Sequence, residues 1–128
     1  MTMPIFRDTA TLYHHLGGER WRRDVLTGVL WRQTRERASQ RLGYGSDPGG
    51  GMALVSATTL RVPASQASGL AVSPGGLDVL VRGSCSRELG PDYSLADLRR
   101  DEPTFCTVRS VLDATDRAHL PQLILTAV

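Results

Sequence analysis

The residues of this 128-residue chain best suited to chemistry are its histidines, its glycine-rich run, its lone Gly-Ser-Cys step and its paired acids. His14 and His15 are adjacent, and His119 lies far along the chain. On a strand, neighbouring side chains point to opposite faces, so the pair cannot chelate one ion together, and no third ligand accompanies either one. The run Gly43-Tyr44-Gly45-Ser46-Asp47-Pro48-Gly49-Gly50-Gly51 has the composition of a phosphate cradle. A P-loop needs Lys and Ser/Thr directly after its last glycine, but Met52 and Ala53 stand there. A dinucleotide fingerprint fails as well, because Pro48 falls where the third glycine belongs. Gly83-Ser84-Cys85 lacks the second glycine of a nucleophile elbow. Asp101-Glu102 and Asp113/Asp116 sit in polar, turn-like stretches, where carboxylates are usually solvated or cap a turn. These residues supply no nucleophile, base or ligand set, so the expectation is a protein that is not an enzyme and carries no cofactor or metal.

The arginines are distributed unevenly. All 15 basic residues are arginine, and seven of them (Arg20, Arg22, Arg23, Arg32, Arg35, Arg37 and Arg41) fall within one stretch opposed only by Asp24 and Glu36. The plain interpretation is a solvated face whose arginine stems lie over apolar surface. The functional one is contact with a DNA backbone or with acidic patches on neighbouring subunits. The absence of lysine fits a GC-rich genome, and a formal charge of +2 is weak for a dedicated nucleic-acid binder. Cys85 and Cys106 belong to no C-x-x-C pair and read as buried free thiols.

The periodicity that must position these residues is mostly two. Ala10, Leu12 and Leu16 share one face of a first strand, with Thr9, Thr11, Tyr13 and His15 on the other. Gly17-Gly18 marks a turn, and Trp21, Arg23 and Val25 alternate with Arg20, Arg22 and Asp24 in a second strand. Thr27-Gly28 breaks or bulges it, and Val29 to Glu36 follows as a third. Residues 37–51 are nearly devoid of apolar side chains and cannot offset their ordering entropy by burial, which predicts a long flexible loop. Further strands are expected over Met52–Val62, Leu77–Ser84, Phe105–Leu112 and His119–Val128, with Ala64–Gly76 turn-like. Ser94, three residues before Asp97, opens a short helix to about Arg100, and Pro103 stops it. The sum is one mostly β domain over residues 1–128, a small barrel or sandwich of about seven strands with one short helix and a Gly-rich loop insertion. No apolar run approaches the roughly 18 residues of a membrane span, and the first eight residues lack the blocks of a signal peptide, so synthesis in the cytoplasm is expected.

Several segments in this order resemble the small minor capsid, or head-completion, proteins of siphophages and prophages. Asp8-Thr9-Ala10-Thr11-Leu12-Tyr13 is similar to their "D-T-x-T-L-Y" opening, and Trp21 to Trp31 to their "W-x-x-x-V-L-x-G-V-x-W". Pro74 to Gly83 resembles "P-G-D-x-V-V-K-G" with an extra residue and arginine for lysine. Ser94 to Leu98 resembles "S-x-x-D-L", Thr107 to Val111 resembles "T-I-x-S-V", and His119-Leu120-Pro121 opens the last strand as theirs does. The last strand has Gln122-Leu123 where those proteins carry an aromatic.

The resemblance implies a head-closure, or stopper, subunit of the virion neck. It would form a homo-oligomeric ring of six or twelve copies beneath the portal and adaptor, retain packaged DNA and dock the tail. Arg35, Arg37, Arg41 and Tyr44 are then the candidates for contact with the lumen, DNA or a neighbouring ring, and Gly43, Gly45, Gly49, Gly50 and Gly51 for an inter-subunit loop. The competing expectations are another neck component, an adaptor or tail terminator, and a nucleic-acid-binding barrel of the OB type. An adaptor would be richer in helix. The OB type would interleave aromatics with basic residues on a sheet face; Trp21 and Trp31 come near this but read more simply as inward-facing core residues.

Overall fold

The computed structural model describes residues 6–39, 52–73, 75–115 and 121–128. Their elements are β1 (Asp8–Gly17), β2 (Arg20–Ser39), β3 (Met52–Pro63), α1 (Ala64–Ala67), β4 (Val79–Arg82), α2 (Leu95–Asp101), β5 (Cys106–Ala114) and β6 (Gln122–Ala127). The six strands close into an antiparallel barrel in the order β1-β2-β3-β6-β5-β4, with β4 returning to β1. A mostly β, single barrel is therefore what the sequence forms. No helix among the described residues is long and apolar enough to cross a membrane.

The expected second and third strands are one continuous strand, which reduces the count to six. Gly28 is the reason. Asp8 pairs with Val29 and Thr9 with Thr27, so Gly28 is the extra residue of a bulge, and its φ is +66°. A glycine in the left-handed region lets a strand kink and twist without ending. The bulge is pinned by the carboxylate of Asp8, which accepts the backbone N–H of Trp31 at 2.9 Å. Before the bulge β2 pairs with β1, and beyond it with β3, so one strand passes from one side of the barrel to the other.

Two apolar layers result. The barrel interior holds Ala10 and Leu12 of β1, Leu26, Val29 and Trp31 of β2, Leu60 and Val62 of β3, Leu80 of β4, Cys106 and Val108 of β5, and Leu123, Leu125 and Ala127 of β6. The opposite faces of β1 and β4 are buried too: Tyr13, Val79 and Val81 pack outside the barrel against Cys85, Leu89 and Leu98, under the 83–105 segment that carries α2. The alternation along β1 holds as far as Tyr13. Leu16, expected on the Ala10–Leu12 face of the core, lies beyond the last interior layer and is exposed, as is Leu77 ahead of β4. Trp31 is inside the barrel, whereas Trp21 packs half-buried against the outer layer with its ring 4.7 Å from that of His15.

The helix read from Ser94 and Asp97 has the capping box intact: Ser94 Oγ accepts the Asp97 N–H and the Asp97 carboxylate accepts the Ser94 N–H. It ends at Asp101, ahead of Pro103. The start of the turn-like 64–76 stretch is instead a second, four-residue helix, α1. Ala67 on it, with Leu70 and Val72 just after, packs against one end of the barrel core. That burial favours a helical turn in a stretch with no local helix signal.

Substituting Gly28 tests the bulge. Gly28→Ala is expected to destabilise the fold by about 1–2 kcal/mol, because a Cβ is disfavoured in the left-handed region, and Gly28→Asn by less. The urea midpoints of the two variants measure the difference; equal midpoints for wild type and Gly28→Ala would show that the kink does not need glycine.

Candidate functional site

The barrel is closed by short strands, but β2 and β3 outrun it. Pairing of β3 with β6 begins at Thr58, and pairing of β2 with β1 ends at Val29. From Thr34↔Ala57 to Ser39↔Met52 the two strands pair only with each other among the described residues. Six register pairs at about 3.3 Å per residue make a ribbon roughly 20 Å long beyond the β1 and β6 pairings. A two-stranded ribbon of this length is marginal on its own.

Arg35 and Arg37 lie in this ribbon, at register positions opposite Ser56 and Leu54. Residues 37–39, expected as the start of a flexible loop, are strand, and the rest of that expected loop, 40–51, lies outside the described residues. Cross-strand pairing with Met52–Leu54 supplies the backbone hydrogen bonds that composition alone did not suggest. Arg41, Tyr44, Gly43, Gly45, Gly49, Gly50 and Gly51 lie outside the described residues. The other members of the basic stretch are divided. Arg22 pairs with Asp24 of the same strand at 2.9 Å, and Arg23 donates to the carbonyl of Cys85 at 2.7 Å, which ties β2 to the 83–105 segment. Arg32 is exposed at the foot of the ribbon.

His119 and Asp116 lie outside the described residues, and most of the other chemistry-bearing side chains have structural partners. His14 Nδ1 lies 2.7 Å from the carboxylate of Asp78, and the ring of His15 lies 2.9 Å from the Gly18 carbonyl. The two histidines thus diverge as their adjacency on a strand requires. Asp78 is fully buried and also accepts the backbone N–H groups of His15 at 3.0 Å and Ser73 at 2.7 Å. It ties the end of β1, the start of β4 and the 70–73 segment together, with no nucleophilic group bonded to His14 among the described residues. Sequence reading missed Asp78; the signal was a lone carboxylate within the apolar run Leu77–Val81.

The acids picked out by pairing are anchors. Asp101 binds Arg100 and the Tyr93 hydroxyl, contacts that hold its carboxyl at about pKa 2. Glu102 accepts from Arg87 at 3.0 Å. Asp113 closes an Asx turn on Thr115, which lowers its pKa. Cys85 and Cys106 are free and buried; burial pushes the Cys106 thiol up to about 11, which leaves it protonated and unreactive at neutral pH. Tyr13 donates to the Arg87 carbonyl at 2.7 Å inside the outer layer, and burial raises its pKa. Among the described residues no cluster of three or more His, Cys, Asp or Glu could hold a metal ion.

Removing the Asp78 carboxylate strands three donors at once. Asp78→Ala is expected to cost roughly 2–4 kcal/mol of stability, read as a lower urea midpoint, with Asp78→Asn intermediate. A midpoint unchanged in Asp78→Ala would mean that the buried carboxylate has some role other than holding the fold.

Comparison with protein-family models, with curated proteins and with solved structures found no match to this chain.

Proposed function

We propose that this chain is a non-enzymatic structural subunit of the neck of a tailed bacteriophage or prophage, of the head-closure type. In this reading its copies form a ring below the portal and adaptor, the ring retains packaged DNA, and the tail docks on it. The observation that carries the proposal is the ribbon: a closed barrel with a buried apolar interior extends into a two-stranded arm that includes Arg35 and Arg37 and runs past the segments with which β1 and β6 pair. An arm of this kind suits contact across a ring lumen or onto an adjoining ring, and its arginines suit phosphate or carboxylate partners. The ordered segment resemblances to head-completion proteins add independent support. Among the described residues, His14, His15, Asp101, Glu102 and Asp113 are engaged in structural contacts and Cys85 and Cys106 are buried.

The two short helices do not favour an adaptor. An OB-type nucleic-acid binder would present aromatics for stacking. Among the described residues every Phe, Tyr and Trp is buried or half-buried, which disfavours that reading.

Gln33 and Thr58 are register partners, so a two-residue Asn-Gly turn joining them would remove the ribbon and still close a hairpin. Supplied in place of the wild-type gene during phage or prophage growth, this shortened chain is expected to fold with an unchanged barrel and to yield heads that lose their DNA. Infectious titre should fall by several orders of magnitude. Normal titre without the ribbon, or without the chain altogether, would refute the proposal.

A further inference from the structure

The two sides of the barrel differ. The wall formed by β1 and β4 is covered by the 83–105 segment and α2. In the closed strand order β6 stands opposite β1 and β3 opposite β4, so the β5-β6-β3-β2 wall is diametrically across from the covered one. That wall is bare. Its outward positions form two rows in register: Leu112, Ile124, Arg61 and Leu30, then Ser110, Thr126, Thr59 and Arg32. In the first row three aliphatic side chains, Leu112, Ile124 and Leu30, flank Arg61; Leu112 is 55% exposed and the other three are half-buried. Arg32, Arg61 and Arg109 on this side form no ion pair with any acid among the described residues.

The covered side has the opposite balance. Residues 83–105 contain Glu88, Asp92, Asp97, Asp101 and Glu102 against Arg87, Arg99 and Arg100, five acids to three bases, a net charge of −2. Asp97, Asp101 and Glu102 are engaged with arginines of the same segment. Among the described residues, Glu88 is 81% exposed with only a 3.9 Å contact to Arg23, and Asp92 is exposed with no ion pair. One molecule thus carries an aliphatic row around Arg61 on one side and spare carboxylates on the opposite side.

We infer that the bare β5-β6-β3-β2 wall docks the 83–105 face of a second copy of this chain, head to tail. The inference rests on the ring reading above only for closure; the pairing of faces rests on that row and on the charge complementarity. Contact between different faces on opposite sides of one molecule leaves a pair of copies with one free face of each kind, so the contact propagates until a ring closes or a chain runs on. Burial of Leu112 and Ile124 supplies affinity, and the arginine–carboxylate pairs supply orientation and salt sensitivity.

The test uses sedimentation velocity on the full-length chain at low ionic strength and high concentration. Wild type is expected to self-associate, and added salt to weaken the association by roughly tenfold or more. Two variants each disable one face: Arg61→Ser with Leu112→Ser, and Glu88→Arg with Asp92→Arg. Each alone should be monomeric with its unfolding midpoint kept, while an equimolar mixture should form a dimer and nothing larger, because one intact face of each kind remains. A wild type that stays monomeric, a variant that assembles as wild type does, or a mixture that fails to pair would overturn the inference. So would a chain that binds a short oligonucleotide through Arg61 without self-associating. Failure here leaves the neck reading standing on particle experiments, and head-to-tail assembly by a chain absent from particles would remove that reading alone.

Discussion

Everything else in this molecule depends on one strand serving two partners. β2 is 20 residues long, pairs with β1 along its first half and with β3 along its second, and turns between them at a single glycine. A strand that ended at Thr27 would leave the barrel open between β1 and β3, with two exposed edges. A strand that continued flat would carry Val29 and Trp31 away from the interior they fill. The left-handed Gly28, braced by the Asp8 carboxylate on the Trp31 N–H, resolves both problems at the cost of one unpaired residue.

Closure divides the chain between a rigid body and a presented arm. The body is over-determined: an interior to which all six strands contribute, a second apolar layer outside β1 and β4, and a buried carboxylate gathering three donors between them. The seam between β4 and β5 is short, two register pairs, and is helped by the Val108 N–H donating to the Asp78 carbonyl. The arm is held, among the described residues, by the β2–β3 pairing from Thr34↔Ala57 to Ser39↔Met52.

The barrel was legible because alternation is strong wherever one face is buried. Ala10 and Leu12, Leu60 and Val62, and Val79 and Val81 announce their strands and faces. The α2 start was legible from Ser94 and Asp97, since a capping box is a local device. What could not be read depends on contacts distant in sequence. The continuity of β2 through Gly28 requires knowing that β1 and β3 lie on different sides of it. The strand at residues 37–39 requires Met52–Leu54 as a partner. The helical turn of α1 requires the open barrel end beneath Ala67, Leu70 and Val72. Of the candidate site, the arginine concentration was visible from composition. The separation of Arg22, paired with Asp24, and Arg23, tied to the 83–105 segment, from Arg35 and Arg37, carried on the ribbon, came only from topology.

The most direct measurement is cryo-electron microscopy of purified particles that carry this gene, resolved well enough to trace a barrel of this topology. The account predicts a ring of these barrels between head and tail, with the β2–β3 ribbons of its copies reaching into the lumen or onto an adjoining ring. Finding the chain elsewhere in the particle, finding ribbons that project into solvent without contact, or finding no copies in the particle at all would contradict it.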